Sequence, residues 1–456
     1  MNFIVVCLHC LDMRDFHSRL SNTPFLDKLK KKSLYIPCGR GQGHNRSDSL
    51  NPELTGVWTP SLCDGKLADT FWNPPAPKDG LRVAYPKTVI EYLHEAGYEI
   101  ITFLGRQEEN REWYDTLLGT DAANGLTQIW MENQPDRWPQ LLMPDDMHTV
   151  EDWISRIKES RDKFYAHIVL RNTHRPWGQN EGLCALVGEG PAQKPNPWPH
   201  DAYCSRKAAL TRPDEFAALR RRGLAAADKR LERIFEATSD IPDVTYVVYS
   251  NHGELYDFYR YVKEFPTQVV GRKKMARWTP NDQRLATNMV TGSSHAQLPY
   301  EILHANMQMW VIPGQEPCVM TGTGRTIDFA PTVLELAGTQ PDDMDGESML
   351  PFFGNGSFPA RDRYAGWQCL GMVRKDGWKF LANPPKLAEQ SKWDKIAVFD
   401  LTGDPYEYVN LLETPQGQEV QSWAIAKYRE LKESRKSSKP SETGTWSKLQ
   451  SVLRSK

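Results

Sequence analysis

The stretch GHNRSDSLNPELTG, Gly43 to Gly56, brings a polar, glycine-flanked approach to what reads as the start of a helix. Such a place raises the question of a nucleophile, and Arg46 and Ser47 stand at its centre. A second chemical candidate closes the first apolar run. Cys7-Leu8-His9-Cys10 offers thiols and an imidazole, which are zinc donors. A zinc site of that kind needs a further ligand pair, and no Cys/His pair of matching spacing follows. The cysteines therefore read as small strand-end residues, and His9 stays open as a ligand.

The elements that must carry these groups alternate between strand and helix. Phe3 to Leu8, Ile100 to Leu104, Phe164 to Leu170, Thr245 to Tyr249 and Gln308 to Ile312 are strand-like. A helix opens at Pro24, with Thr23 as its N-cap. Others run from Thr88 to Ala96, stopped by Gly97, from Pro213 to Ala237, and from Asp328 to Ala337. The alternation predicts an α/β fold: a large, mostly parallel sheet sandwiched by helices. After Arg363 the pattern changes to short strands at Gln368 to Arg374, Trp378 to Leu381 and Ala397 to Asp400. Asp376-Gly377 gives a hairpin signal, and an amphipathic helix from Gln418 to Lys432 follows. The expected parts are residues 1–363, a small antiparallel α+β module over 364–433, and a polar linker with a short amphipathic tail over 434–456. That tail is where a homo-oligomer would form.

Composition narrows the function. With 39% hydrophobic and 25% charged residues and a net charge of −2, the chain is an ordinary globular protein. It has no basic field for nucleic acid and no apolar run long enough to span a bilayer. The N-terminus lacks signal-peptide features, and 8 cysteines at irregular spacing favour reduced thiols, so a cytoplasmic setting is expected.

Several stretches, taken in order, resemble the sulfatase family of the alkaline-phosphatase superfamily. They are Thr23-Pro24-Phe25-Leu26-Asp27-Lys28-Leu29, Glu95-Ala96-Gly97-Tyr98 leading to Gly105-Arg106, and Thr173-His174-Arg175-Pro176-Trp177. Next come Ser250-Asn251-His252-Gly253-Glu254 and Asp328-Phe329-Ala330-Pro331-Thr332-Val333-Leu334, and the series ends with Asp404-Pro405-Tyr406-Glu407-Tyr408-Val409-Asn410-Leu411. The resemblance implies a divalent cation, a nucleophile bound to it, and cationic or imidazole groups around an anionic ester.

Aligning Leu54-Thr55-Gly56 with the family's Leu-Thr-Gly puts Arg46 at the nucleophile position and Ser47 beside it; a one-residue slip makes Ser47 the nucleophile. The Cys/Ser-x-Pro-x-Arg signature of formylglycine is missing there. Its one formal match, Ser357-Phe358-Pro359-Ala360-Arg361, lies far along the chain and reads as chance. His9 and Asn251 fall where the family has metal-binding Asp residues, with His252 adjacent to Asn251 and Asp12 as a possible substitute. This set suits a softer ion such as zinc better than calcium. The alternative is a metal-free pocket in which the Arg46 guanidinium binds the anion. Arg106, His174 and His295 fall on the family's anion-binding positions. The resemblance thus implies a small anionic substrate, a sulfate- or phosphate-type ester cleaved or transferred without formylglycine. A repurposed, non-catalytic binder is the other expectation.

Overall fold

The structure is a computed structural model and describes residues 1–11, 13–43, 46–58, 87–103, 146–160, 163–170, 172–173, 213–253, 300–341, 344–366, 370–383, 393–405, 407 and 409–437. Its larger sheet has the strand order β3-β4-β1-β5-β6-β2-β7, with β8 also pairing with β2. The strands are β1 (Asn2–Leu8), β2 (Leu34–Arg40), β3 (Glu99–Phe103), β4 (Phe164–Leu170), β5 (Val244–Ser250), β6 (Ala305–Val311), β7 (Cys318–Val319) and β8 (Gly324–Arg325).

β1 shows why this sequence makes such a sheet. It lies between β4 and β5, parallel to both, and Phe3 to Leu8 are fully buried. A strand covered on both faces needs a continuous apolar run rather than an alternating one. The pleat still divides it. Phe3, Val5 and Cys7 join one core cluster, while Ile4, Val6 and Leu8 join the other.

Helices α1 (Met13–Phe16), α2 (Pro24–Lys32), α3 (Arg46–Thr55), α4 (Val89–Glu95), α5 (Asp146–Glu159), α6 (Pro213–Thr238), α7 (Glu301–His304), α8 (Phe329–Leu336) and α9 (Leu350–Phe353) surround the sheet or link its strands. Leu50 and Leu54 of α3, Ile90 and Leu93 of α4 and Phe329 and Val333 of α8 supply one face. Leu26 and Leu29 of α2, Trp153 and Ile157 of α5, and Leu231 and Ile234 of α6 supply the other. No helix among the described residues is long and apolar enough to cross a membrane.

α2 corrects one expectation. Thr23 occupies the N-cap position, but its side chain makes no capping bond. The free N–H groups of Phe25 and Leu26 donate instead to the Asp228 carboxylate of α6, at 3.1 and 2.7 Å. A full negative charge from a neighbouring helix satisfies the orphan donors and the positive helix end together. Burial pushes that carboxyl up to about 6, against the pull of the two N–H groups.

The C-terminal module is a sheet ordered β12-β11-β10-β9, from β9 (Arg363–Ala365), β10 (Leu370–Val373), β11 (Trp378–Asn383) and β12 (Asp394–Asp400). Its pairings are antiparallel, and Gly377 takes the left-handed conformation (φ 93°) in the β10–β11 turn. One face packs under α10 (Pro415–Ser437). The other brings Leu381, Ile396, Ala397 and Phe399 against Tyr300 and Leu303 of the main domain.

Candidate functional site

β6 is antiparallel to both of its neighbours, so β1, β4, β5 and β2 all run the same way. Their carboxyl ends share one edge with the amino end of β6. On such an edge the strands stop and loops from distant parts of the chain converge. Leu8 pairs with both Leu170 and Ser250, so the residues that follow these strands emerge side by side.

His9 continues β1 by donating its N–H to Leu170 O at 3.0 Å, and Thr173 Oγ1 donates to His9 O at 2.6 Å. Cys10 then turns sharply through a left-handed conformation (φ 61°), unusual for a residue with a side chain. Asn251 fixes the turn from the β5 side. Its Oδ1 accepts the main-chain N–H of Cys10 at 3.1 Å and that of His252 at 2.9 Å. A carboxamide oxygen has two lone pairs, and both are engaged here.

His252 Nδ1 lies 2.9 Å from Gly253 O. A carbonyl only accepts, so Nδ1 carries the proton and Nε2 offers its lone pair. That Nε2 lies 3.4 Å from Cys10 Sγ, and the His9 ring stands edge-on to His252 at 5.5 Å between centroids. One donor atom each from His9, Cys10 and His252 lies within 4.8 Å of the others, and all three side chains are buried. Two imidazoles and a thiol fit a soft or borderline ion that takes three protein ligands and keeps a fourth position open. They do not fit calcium or magnesium, which require oxygen donors.

Sequence alone reads Cys10 as a small strand-end residue; the structure brings it together with His9 and with His252 from the end of β5, in a group that could hold a metal ion. Cys7 remains a buried residue within β1.

Gly41, just after β2, forms the adjoining wall. A Cβ on Gly41 would come within 2.5 Å of Asn251 O, so only glycine allows the two loops to lie this close. Gly41 N donates to His304 O at 2.7 Å, and Gly253 N donates to Leu303 O at 2.8 Å. Arg46 and Ser47 stand in the first turn of α3, which follows directly from this edge. Asp12, Arg106, His174 and His295 lie outside the described residues. Gly56 closes α3 in a left-handed conformation (φ 65°), with its carbonyl accepting from Asp345 and Gly346. The Ser357 to Arg361 segment serves the packing elsewhere. Arg361 pairs with Asp328 at 2.9 Å, and Phe358 is buried.

α3 is anchored from beneath by Glu53. Tyr249 of β5 donates its O–H to this buried carboxyl, and the same phenol lies 3.0 Å from His167 Nε2. Burial pushes the Glu53 carboxyl up to about 8, so it is largely protonated at neutral pH.

Fold and edge site together define a member of the alkaline-phosphatase superfamily, an α/β protein with polar groups gathered at the strand ends. The chain belongs to the sulfatase family, whose family model matches residues 2–339. Members of that family typically bind a metal ion. No curated protein matches the chain. Among solved structures it is similar to BT4656 in complex with its substrate D-glucosamine-2-N,6-O-disulfate. That match has 16% identity and a TM-score of 0.63, covering 97% of this chain and 99% of the other. It is also similar to the phosphonate monoester hydrolase SpPMH from Silicibacter pomeroyi, at 13% identity and a TM-score of 0.61, covering 94% and 95%. A third similar structure is BT1596, a 2-O GAG sulfatase, at 14% identity and a TM-score of 0.58, covering 96% and 92%. At these identities the likeness establishes the fold.

Proposed function

We propose that the protein is an enzyme that cleaves or transfers an anionic ester of the sulfate or phosphate type, through a centre rebuilt from imidazole and thiolate groups and without formylglycine. The observation that carries this reading is the convergence of His9, Cys10 and His252 within 4.8 Å at the strand ends. It is supported by structural relatives named for sulfate-ester and phosphonate-ester chemistry.

His9, Cys10 and His252 would hold the ion, zinc being the best fit to two nitrogens and one sulfur. A bound zinc ion supplies Lewis-acid polarisation of an ester oxygen and makes a nearby hydroxyl more acidic. Asn251 has the supporting role, since its oxygen is occupied in holding the Cys10 and His252 loops together. Ser47, in the first turn of α3, is the assigned nucleophile, with Arg46 beside it to bind the anionic group. Arg106 adds positive charge. His174 and His295 bind the anion or protonate the leaving oxygen. Asp12 is a reserve oxygen ligand.

A second reading, an anion-binding protein without turnover, is favoured by one observation. Among the described residues the cluster is made of two imidazoles and a thiol, and no carboxylate joins it. Metal analysis of the purified chain, followed by assay against aryl sulfate, aryl phosphate and aryl phosphonate esters, separates the two. About one tightly bound zinc per chain with turnover of any of these esters supports the enzyme. Tight binding of inorganic sulfate or phosphate, with no turnover in the presence of zinc, supports the binder.

A further inference from the structure

A second cluster of buried charge lies behind the site. Glu301, the first residue of α7, faces three cations. Arg40 Nε is 2.8 Å from Oε2, Arg363 Nη1 is 3.0 Å from the same oxygen, and Lys379 Nζ is 3.0 Å from Oε1. Lys379 is only 1% exposed and pairs again with Glu407 Oε1 at 2.7 Å. Glu407 Oε2 accepts the main-chain N–H of Glu301 at 2.6 Å. The three cations hold the Glu301 carboxyl well below the usual carboxylate range, despite its burial.

The cluster joins the two halves of the molecule. Arg40 ends β2 and Glu301 begins α7, whereas Arg363 lies on β9, Lys379 on β11 and Glu407 after β12. Each main-domain element leads at once into the site. The residue after Arg40 is Gly41, which exchanges hydrogen bonds with His304 at 2.7 and 3.0 Å. α7 presents Leu303 O to Gly253 N at 2.8 Å, one residue beyond His252. The module adds a direct bond, from Gly366 N to Gln42 O at 2.8 Å.

We infer that Glu301, Arg363, Lys379 and Glu407 are positioning residues, through which the C-terminal module sets the two loops that carry His252 and lead into α3. The inference rests on the reading of the strand-end edge as the functional site. Docking alone does not call for such a cluster. Leu381, Ile396, Ala397 and Phe399 already bury apolar surface against Tyr300 and Leu303. Apolar side chains commonly stabilise as well as a buried ion cluster does, whereas charge-assisted hydrogen bonds fix direction.

Amide hydrogen exchange on the purified full chain tests this, with Gly41, Gly253 and Gly366 as reporters. Lys379→Met is expected to speed exchange at Gly41 and Gly253 by about tenfold or more, while the amides of β1 and α10 keep their rates. Lys379→Arg, which retains the charge, is expected to restore slow exchange at both. If Lys379→Met does not fold, Glu407→Gln takes its place, with about a threefold rise expected at the same amides. Unchanged rates at Gly41 and Gly253, or a rise shared equally with β1, overturns the inference. The readout needs neither metal nor turnover, so its failure is distinct from failure of the ester-cleaving reading.

Discussion

Cys10 Sγ lies 3.4 Å from His252 Nε2 across 242 residues of sequence. The contact exists because β1 and β5 are neighbours and end in register, Leu8 against Ser250. If the pair serves with His9 as a metal centre, removing the sulfur should change both affinity and ion preference. Cys10→Ser is expected to lower zinc affinity by at least about a hundredfold, since thiolate is the strongest of the three donors for that ion. Competition with a chromophoric chelator measures it. Equal zinc content in Cys10→Ser and wild type after extensive dialysis would remove the sulfur from the centre.

The Asn251 clamp makes a separate prediction about folding. Asn251→Ala leaves two buried main-chain N–H groups without their acceptor, each costing about 1–3 kcal/mol. A total loss of about 2–4 kcal/mol is expected in urea unfolding. Asn251→Asp keeps the acceptor and should stay within about 1 kcal/mol of wild type while adding an oxygen donor beside the cluster. A stability loss in Asn251→Asp as large as that in Asn251→Ala contradicts the clamp.

Much of the fold was legible in the sequence because the periodicities are strong. The apolar run of β1, the long α6, the hairpin at Gly377 and the capped α4 all appear where pattern places them. In α4, Glu91 N donates to Thr88 Oγ1 at 3.3 Å, and Thr88 N donates to Glu91 Oε2 at 2.8 Å. β2 escaped notice because Pro37 and Gly39 interrupt it, and its pairing with β6 slips between Ile36 and Gly39. The α2 cap escaped because its acceptor, Asp228, lies on another helix. Resemblance pointed to His9, Asn251 and His252 at the site. The approach of Cys10 to His252 was not legible, because local spacing cannot show a contact made through sheet topology.

Glu53 gives a pH prediction with a definite sign. Burial raises its carboxyl from an ordinary 4.5 to about 8 in the folded chain. Folding therefore favours the protonated form. Its contribution is fully present below the unfolded value of 4.5 and is lost as pH rises through about 8. A wild-type loss of up to a few kcal/mol, on the order of 1.4 kcal/mol per pKa unit, is expected between acid and mildly alkaline pH. Glu53→Gln keeps the acceptor for the Tyr249 O–H and has nothing to ionise. Its unfolding free energy should fall less than that of wild type over this range and overtake it on the alkaline side. Parallel urea curves for the two proteins at pH values below and above this window decide it; identical pH dependence rules out the buried, protonated carboxyl.

Ser47 and Arg46 are consecutive in the first turn of α3, and the roles proposed for them separate in kinetics. As nucleophile, Ser47 acts in the bond-breaking step. Ser47→Ala is expected to lower kcat by about a thousandfold with zinc content unchanged. Arg46 contributes binding to an anion that is charged both before and during reaction. Arg46→Ala is therefore expected to act mainly on KM, raising it by about tenfold to a hundredfold. Intact-mass and peptide mass spectrometry of the wild type should find Ser47 as unmodified serine, since the sequence around it lacks the formylglycine signature. An aldehyde at Ser47, or at any residue of the chain, would overturn the formylglycine-independent route. If Arg46→Ala collapses kcat while Ser47→Ala is silent, the guanidinium-centred pocket takes the place of the serine mechanism.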